Sequence, residues 1–206
     1  MGKLARSKIS ERLIGMGDSH LDNFSFFCAA TCRIPGATAH GLVNDNSVTR
    51  SREAFKAFLS AFPSYIPLLC LGEVDCNSLP WYMPDENPKE VIHQAINNLS
   101  IFLKETDRKL ILSSVTLPPI DSYQSSEVRL HVTADKKERT SLVKLYNKLL
   151  KELSIKSGHH YLDITTPTTG KDGFVDKSYI RSLSDVHLSS DKVRTIVRSL
   201  LDEVAL

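Results

Sequence analysis

The sequence predicts an α/β protein with a mostly parallel sheet and helices on both faces. Short apolar runs of strand length alternate with amphipathic helical segments along the 206 residues. Parallel neighbours need long crossover connections, which the helical segments supply, and strands buried on both faces are apolar throughout. Hydrophobic residues make up 41% and charged residues 24% of the chain, which is the balance of an ordinary globular protein.

The strands are predicted from apolar runs bounded by polar or turn-forming residues. The predicted strands are Leu13–Met16, a run ending near Ile34, Leu68–Leu71, Leu110–Val115 and Tyr161–Ile164. The first connection, residues 17–27, is barely long enough for a crossover of roughly a dozen residues. We therefore expect a helix of one or two turns there, or a second strand that starts late.

Four helices are predicted from apolar residues at helical spacing. The clearest has Asn87 as its N-cap and Pro88 at the first helical position, where a missing N–H costs nothing. A capping pattern of Asp135 with Glu138 begins another helix, and Gly158 ends it. The apolar faces of the four helices are Phe55, Phe58, Leu59 and Phe62; Ile92, Ala95, Ile96, Leu99 and Leu103; Leu142, Tyr146, Leu149, Leu150 and Leu153; and Val193, Ile196, Val197, Leu200, Leu201 and Val204.

Length and charge narrow the classes of function. A chain of this size fits one domain, residues 1–206. Its 26 Lys and Arg are scattered among 24 Asp and Glu, so we expect no nucleic-acid partner. The sequence contains neither an apolar run of the roughly 18 to 20 residues that span a bilayer nor the apolar core of a secretion signal. We expect a cytoplasmic protein without membrane association, and the oligomeric state stays open.

Polar segments follow the predicted strands, at the edge where an open α/β sheet binds its ligands. A serine on a tight turn, a distant histidine and an aspartate would supply the nucleophile, general base and orienting group of acyl transfer. A glycine turn adds a backbone N–H for an oxyanion, and Gly36 is well placed for this. These segments are Gly17-Asp18-Ser19-His20, residues 35–41, residues 72–77 and residues 184–188.

In their order along the chain, these segments resemble the four sequence blocks of the SGNH, or GDSL-type, hydrolases. The most similar variant is the GDSH branch found beside polysaccharide biosynthesis, where a GxTAxG loop and a GE[IV]DC block recur. Here these blocks read Gly36-Ala37-Thr38-Ala39-His40-Gly41 and Gly72-Glu73-Val74-Asp75-Cys76. The resemblance covers nearly the whole chain and implies a flavodoxin-like three-layer αβα sandwich around a central, mostly parallel five-stranded sheet.

The resemblance also implies roles for individual residues. Ser19 would be the nucleophile, His187 its base and Asp185 the group that orients the base. The N–H groups of Ser19 and Gly36 would form the oxyanion hole. The expected activity is hydrolysis of a small or saccharide ester through an acyl-serine intermediate, with no metal and no organic cofactor. An O-acylated sugar is the expected substrate on the resemblance alone.

The third block departs from the family pattern, because Val74 stands where an asparagine usually completes the oxyanion hole. Losing one such donor typically costs about 10² to 10³ in turnover. Either a nearby asparagine replaces it or the enzyme is slow or specialised. The candidate replacements are Asn77, Asn44 and Asn46, and the further pocket candidates are Asp18, His20, Glu73, Asp75 and Asn77.

The last block departs in its spacing. Asp185 precedes His187 by two residues rather than the common three, and Ser184 holds the usual position. Asp176 and Asp163 are alternative orienting groups. A long segment, residues 121–133, is expected to cover the cleft.

Three alternatives stay open. An acyltransferase uses the same serine and histidine but passes the acyl group to an alcohol. A non-catalytic binding module would keep the fold without the oxyanion hole. A binuclear metallophosphoesterase would use Asp18 and His20 as metal ligands, although its later blocks are missing. The pair His159-His160 is more consistent with a turn than with a metal site.

Overall fold

The computed structural model describes residues 12–83, 85–119, 134–182 and 185–204. Within these ranges the sheet has five parallel strands in the order β2-β1-β3-β4-β5. The strands are β1 (Leu13–Gly17), β2 (Ala30–Arg33), β3 (Ile66–Cys70), β4 (Ile111–Ser113) and β5 (His160–Leu162). This is the strand order of flavodoxin-like sheets, so the predicted fold class is confirmed.

Helices flank the sheet, and all four predicted helices are present. Asn87 accepts a hydrogen bond from the N–H of Lys89 at 2.9 Å, and Asp135 forms a capping box with Glu138. The helices of the described residues are α1 (Ser51–Ala61), α2 (Glu73–Asn77), α3 (Pro88–Thr106), α4 (Lys136–Lys156), α5 (Thr165–Thr168) and α6 (Ser190–Asp202). The short helices α2 and α5 were not predicted, because so few residues carry no periodic apolar face. No helix in the described part of the chain is both long and apolar enough to cross a membrane.

The short first connection uses both of the expected solutions. Two 3₁₀ turns, Ser19–Asn23 and Ser25–Phe27, replace a full crossover helix, and β2 begins only at Ala30. Helix α6 packs on the first of these turns. The connection therefore places the residues after β1 against the C-terminal part of the chain.

Strand β4 is shorter than its apolar run predicts. Beyond Ser113, the side chain of Asn147 on α4 accepts a hydrogen bond from the N–H of Val115 and donates one to its carbonyl, both at 2.8 Å. A side chain thus satisfies the backbone groups that a neighbouring strand would otherwise pair with, and the strand ends early.

Candidate active site

The turn that carries Ser19 is fixed to both neighbours of β1. Asp18 donates its N–H to the carbonyl of Cys70 at 3.1 Å, and Ile34 donates its N–H to the carbonyl of Gly17 at 2.8 Å. A Cβ atom added to Gly17 would lie 2.0 Å from the carbonyl oxygen of Cys70, so no larger residue fits without moving the strand. The backbone around Ser19 is therefore held from two sides.

The structure brings Ser19, His187 and Asp185 together across 168 residues of sequence. The Nε2 atom of His187 lies 2.8 Å from the hydroxyl oxygen of Ser19, and its Nδ1 atom lies 2.7 Å from Oδ1 of Asp185. With Nδ1–H donated to the carboxylate, Nε2 is the acceptor for the Ser19 hydroxyl. This is the arrangement in which a histidine removes the proton of an attacking serine.

The two-residue spacing between Asp185 and His187 closes a tight turn. Oδ1 of Asp185 accepts the backbone N–H of His187 at 2.9 Å as well as the ring N–H. The alternative orienting residues are engaged elsewhere, since Asp163 accepts hydrogen bonds from Thr165 and Thr166 and Asp176 accepts one from Ser178. Ser184 lies outside the described residues.

Arg181 supports the same loop, although no motif in the sequence indicates it. Its N–H donates to the carbonyl of His187 at 3.2 Å, and its Nη1 atom lies 3.5 Å from Oδ2 of Asp185. The Ile180–Leu188 bridge and the bond from the N–H of Ser189 to the carbonyl of Tyr179 close the loop at its base.

Burial and the local charges set the ionisation of the pair. Burial raises the pKa of Asp185, but the hydrogen bonds from the backbone and ring of His187 outweigh it, so the pKa of Asp185 is lowered. Burial and the neighbouring His20 lower the pKa of His187, and they outweigh the opposing effect of Asp185. Near neutral pH the site therefore holds a carboxylate and a neutral imidazole, which is the state a general base requires.

Gly36 lies just past the end of β2, beside the strand that leads to Ser19. Its φ of +77° is a left-handed conformation that glycine adopts without strain. Within the described residues, the backbone N–H of Ser19 and that of Gly36 have no hydrogen-bond acceptor.

A buried carboxylate fixes the loop that follows Gly36. The two carboxylate oxygens of Asp75 accept the N–H groups of Ala39 and His40, each at 2.8 Å. Burial raises the pKa of Asp75 to about 7, although these hydrogen bonds oppose the shift. Asp75 therefore fixes the backbone of the glycine loop, residues 36–41.

In the described chain, none of the candidate asparagines contacts Ser19 to replace the amide donor that is missing at Val74. Asn77 is buried and donates to the carboxylate of Glu73 at 3.2 Å. Asn44 accepts the N–H of Asn46 at 2.9 Å within a turn.

His20 is buried against the ring of His187. It is 5% exposed, and its ring stacks on that of His187 with the centroids 4.6 Å apart. Its Nε2–H donates to the carbonyl of Val186 at 3.2 Å, and its Nδ1 atom lies 3.6 Å from Oδ1 of Asp18. The sequence predicts a pocket position for His20 but not this stack, because Val186 and His187 are remote from it in sequence.

The metal-binding alternative finds no support in side-chain geometry. Across the ranges that the structure describes, no three histidine, cysteine, aspartate or glutamate side chains are grouped to hold a metal ion. Asp18 caps the 3₁₀ turn by accepting the N–H of His20 at 2.8 Å. His159 accepts the N–H of Leu110 and precedes β5, at the opposite end of the sheet from Ser19. The predicted cover, residues 121–133, lies outside the described residues.

Solved structures with a similar fold include several ester hydrolases. A GDSL-like lipase from Bacteroides thetaiotaomicron superposes with a TM-score of 0.61 and 16% identity, over 97% of this chain and 90% of its own. The carbohydrate acetylesterase Est24 from Sinorhizobium meliloti gives a TM-score of 0.60 and 13% identity, over 93% of this chain and 96% of its own. No protein-family model and no curated protein matches the sequence. The chain has the fold of the SGNH and GDSL-type hydrolases.

Proposed function

We propose that this protein is a serine ester hydrolase that works through an acyl-serine intermediate. The observation that carries the proposal is the chain of two short hydrogen bonds from Asp185 to His187 and from His187 to Ser19. A serine hydroxyl with a neutral, oriented imidazole at 2.8 Å is an activated nucleophile. Ser19 is half-buried, so its hydroxyl remains open to a substrate.

In the first half-reaction, the Ser19 oxygen attacks the ester carbonyl carbon while Nε2 of His187 takes the hydroxyl proton. The carbonyl oxygen becomes an oxyanion, which the N–H groups of Ser19 and Gly36 stabilise. The C–O bond to the alcohol then breaks, and His187 returns its proton to the departing alkoxide. In the second half-reaction, water attacks the acyl-serine carbonyl while His187 takes a proton from it. The bond to Ser19 then breaks, His187 returns the proton to the serine oxygen, and the acid is released.

For the substrate we propose an ester of a polar, hydroxyl-rich alcohol such as an acylated sugar. A groove of about 650 Å³ lies between the 3₁₀ turn His40–Val43 and α3. Its lining is mainly amide, imidazole and carboxylate: His40, Val43, Asn44, Glu86, Glu90, His93, Gln94, Asn97 and Asn98. His40 links this groove to the loop that Asp75 holds. Such a lining suits hydroxyl groups better than an alkyl chain.

The proposal is tested with p-nitrophenyl acetate and with a peracetylated monosaccharide, both in the presence of a chelator. Wild-type protein should release acetate from both esters, and Ser19→Ala should lower the rate to background. Ser25→Ala is the matched control, because its hydroxyl is exposed in the next turn and donates to the carbonyl of Asp22. Equal rates for Ser19→Ala and wild type would contradict the proposal.

The substrate class is tested separately with Asn97→Ala, an exposed position in the groove. For the saccharide ester, KM should rise several-fold, while the kinetics with p-nitrophenyl acetate stay unchanged. Equal effects on both esters, or none, would contradict a role for this groove in binding the alcohol.

A further inference from the structure

We propose that His20 is a positioning residue that carries a positive charge near neutral pH, tethers the His187 loop and keeps His187 unprotonated. The kinetic part of this inference rests on the proposed serine chemistry. It concerns a group that no step of that chemistry requires, since the proton moves only between Ser19, His187 and the alcohol.

The geometry around His20 favours the doubly protonated ring. Both of its nitrogens face oxygen atoms: the Val186 carbonyl at 3.2 Å from Nε2, and the Asp18 carboxylate at 3.6 Å from Nδ1. A neutral ring would turn a lone pair toward one of these oxygens. Protonation on both nitrogens removes this repulsion.

Buried carboxylates supply the reason for a charge at this position. Asp18 is 1% exposed and Glu73 is 5% exposed, and Oδ1 of Asp18 lies 3.6 Å from Nδ1 of His20. Carboxylates this deeply buried are costly unless a cation or several hydrogen bonds accompany them. Burial lowers the pKa of His20, but Glu73 and Asp18, together with the bond to Val186, raise it to about 9.

The charge acts on His187 through the ring stack. At a centroid distance of 4.6 Å, the His20 cation repels a proton on His187. The other groups that face His187 are Asp185, which attracts the proton, the more distant cation of Arg181, and the hydroxyl of Ser19. His20 thus extends the pH range in which His187 is a free base, while Asp185 stabilises the imidazolium that forms during reaction.

The bond to Val186 gives His20 a second effect. It joins the first turn after β1 to the residue directly before His187, across 166 residues of sequence. Since a shift of about 1 Å in a catalytic group can cost about 10² in rate, this bond helps to hold Nε2 of His187 within reach of Ser19.

Two variants separate the charge from the tether. In His20→Gln the side-chain amide still donates to Val186 but carries no charge, whereas His20→Phe keeps the ring stack and loses both donor and charge. The readout is the pH dependence of Ser19 labelling by a fluorophosphonate. The acid limb is the pH range in which the labelling rate falls as pH is lowered. For a unit charge at this distance in a partly solvated site, both variants should move its midpoint up by about one pH unit. Only His20→Phe should also lower the plateau rate, by about tenfold or more.

The control is His159→Gln, a histidine at the far end of the sheet, which should leave the acid limb in place. An unshifted acid limb in His20→Gln would overturn the charge effect. Equal plateau rates for the two His20 variants would overturn the tether.

A nitrogen-15 NMR titration of the histidine rings tests the inference without any reaction. Both ring nitrogens of His20 should carry protons at a pH of about 7.5, and the pKa of His187 should rise in His20→Gln. A neutral His20 ring, or an unchanged His187 titration, would refute the inference even in protein that labels normally. Absent labelling in wild type, with the NMR result as expected, would refute only the proposed function.

Discussion

Replacing Asp185 with asparagine tests whether this carboxylate stabilises a charged His187. The oxygen of an asparagine can still accept both N–H groups of His187, so the variant removes the charge and leaves the hydrogen-bonding geometry in place. For unit charges 2.7 Å apart, effective dielectric constants of about 80 and 20 give roughly 1.5 and 6 kcal/mol. These energies correspond to about 10-fold and 10⁴-fold in rate.

Two features of the site place the effect of Asp185→Asn in the lower half of that range. The Asp185 side chain is 23% exposed, and Arg181 lies 3.5 Å from its other oxygen. We therefore expect Ser19 of the variant to react about 10²-fold more slowly with a fluorophosphonate at a pH of about 8. This assay can be run without knowing the natural substrate.

The control for this variant is Asp176→Asn, which alters an exposed turn carboxylate and should label at the wild-type rate. Thermal melting of both variants separates loss of charge from loss of fold. Wild-type labelling by folded Asp185→Asn would refute the idea that Asp185 stabilises the His187 cation.

Three further predictions concern pH and packing. Because the pKa of His187 is lowered, the acid limb of Ser19 labelling should have its midpoint below a pH of about 6.5, the ordinary pKa of histidine. A midpoint above that pH would contradict the assigned shift. Because burial raises the pKa of Asp75 to about 7, the folded chain retains a proton that the unfolded chain loses above a pH of about 4, so the free energy of unfolding should fall as pH rises between these values. Asp75→Asn should remove this decrease in the free energy of unfolding, which urea unfolding at a pH of about 4.5 and of about 7.5 measures. The same decrease in Asp75→Asn as in wild type would contradict the assigned pKa. Gly17→Ala should destabilise the fold by about 1 to 3 kcal/mol or more, since its Cβ would overlap the carbonyl of Cys70. A variant that melts at the wild-type temperature would show that the strand can move to make room for the Cβ without a cost in stability.

The sequence predicts those parts of the fold that local chemistry decides. Asn87 and Asp135 begin their helices as expected, because a cap depends on residues within one turn. The early end of β4 was not predictable, since it depends on Asn147, which is distant in sequence and meets Val115 only after α4 has packed.

The same distinction holds at the site. The residue types and their order along the chain indicate Ser19, Asp185 and His187, and the fold brings these three within hydrogen-bond distance. The stack of His20 on His187 and the ion pair of Arg181 with Asp185 depend on how two loops meet. No spacing rule in the sequence expresses such a contact.

The most direct test of the serine hydrolase proposal is the intact mass of the protein after incubation with a fluorophosphonate and a chelator, followed by peptide mapping. One adduct per chain on Ser19, absent from Ser19→Ala and present in Ser25→Ala, is the expected result. Folded wild-type protein that forms no adduct, or an adduct on another residue, would contradict the proposal that Ser19 is an activated nucleophile.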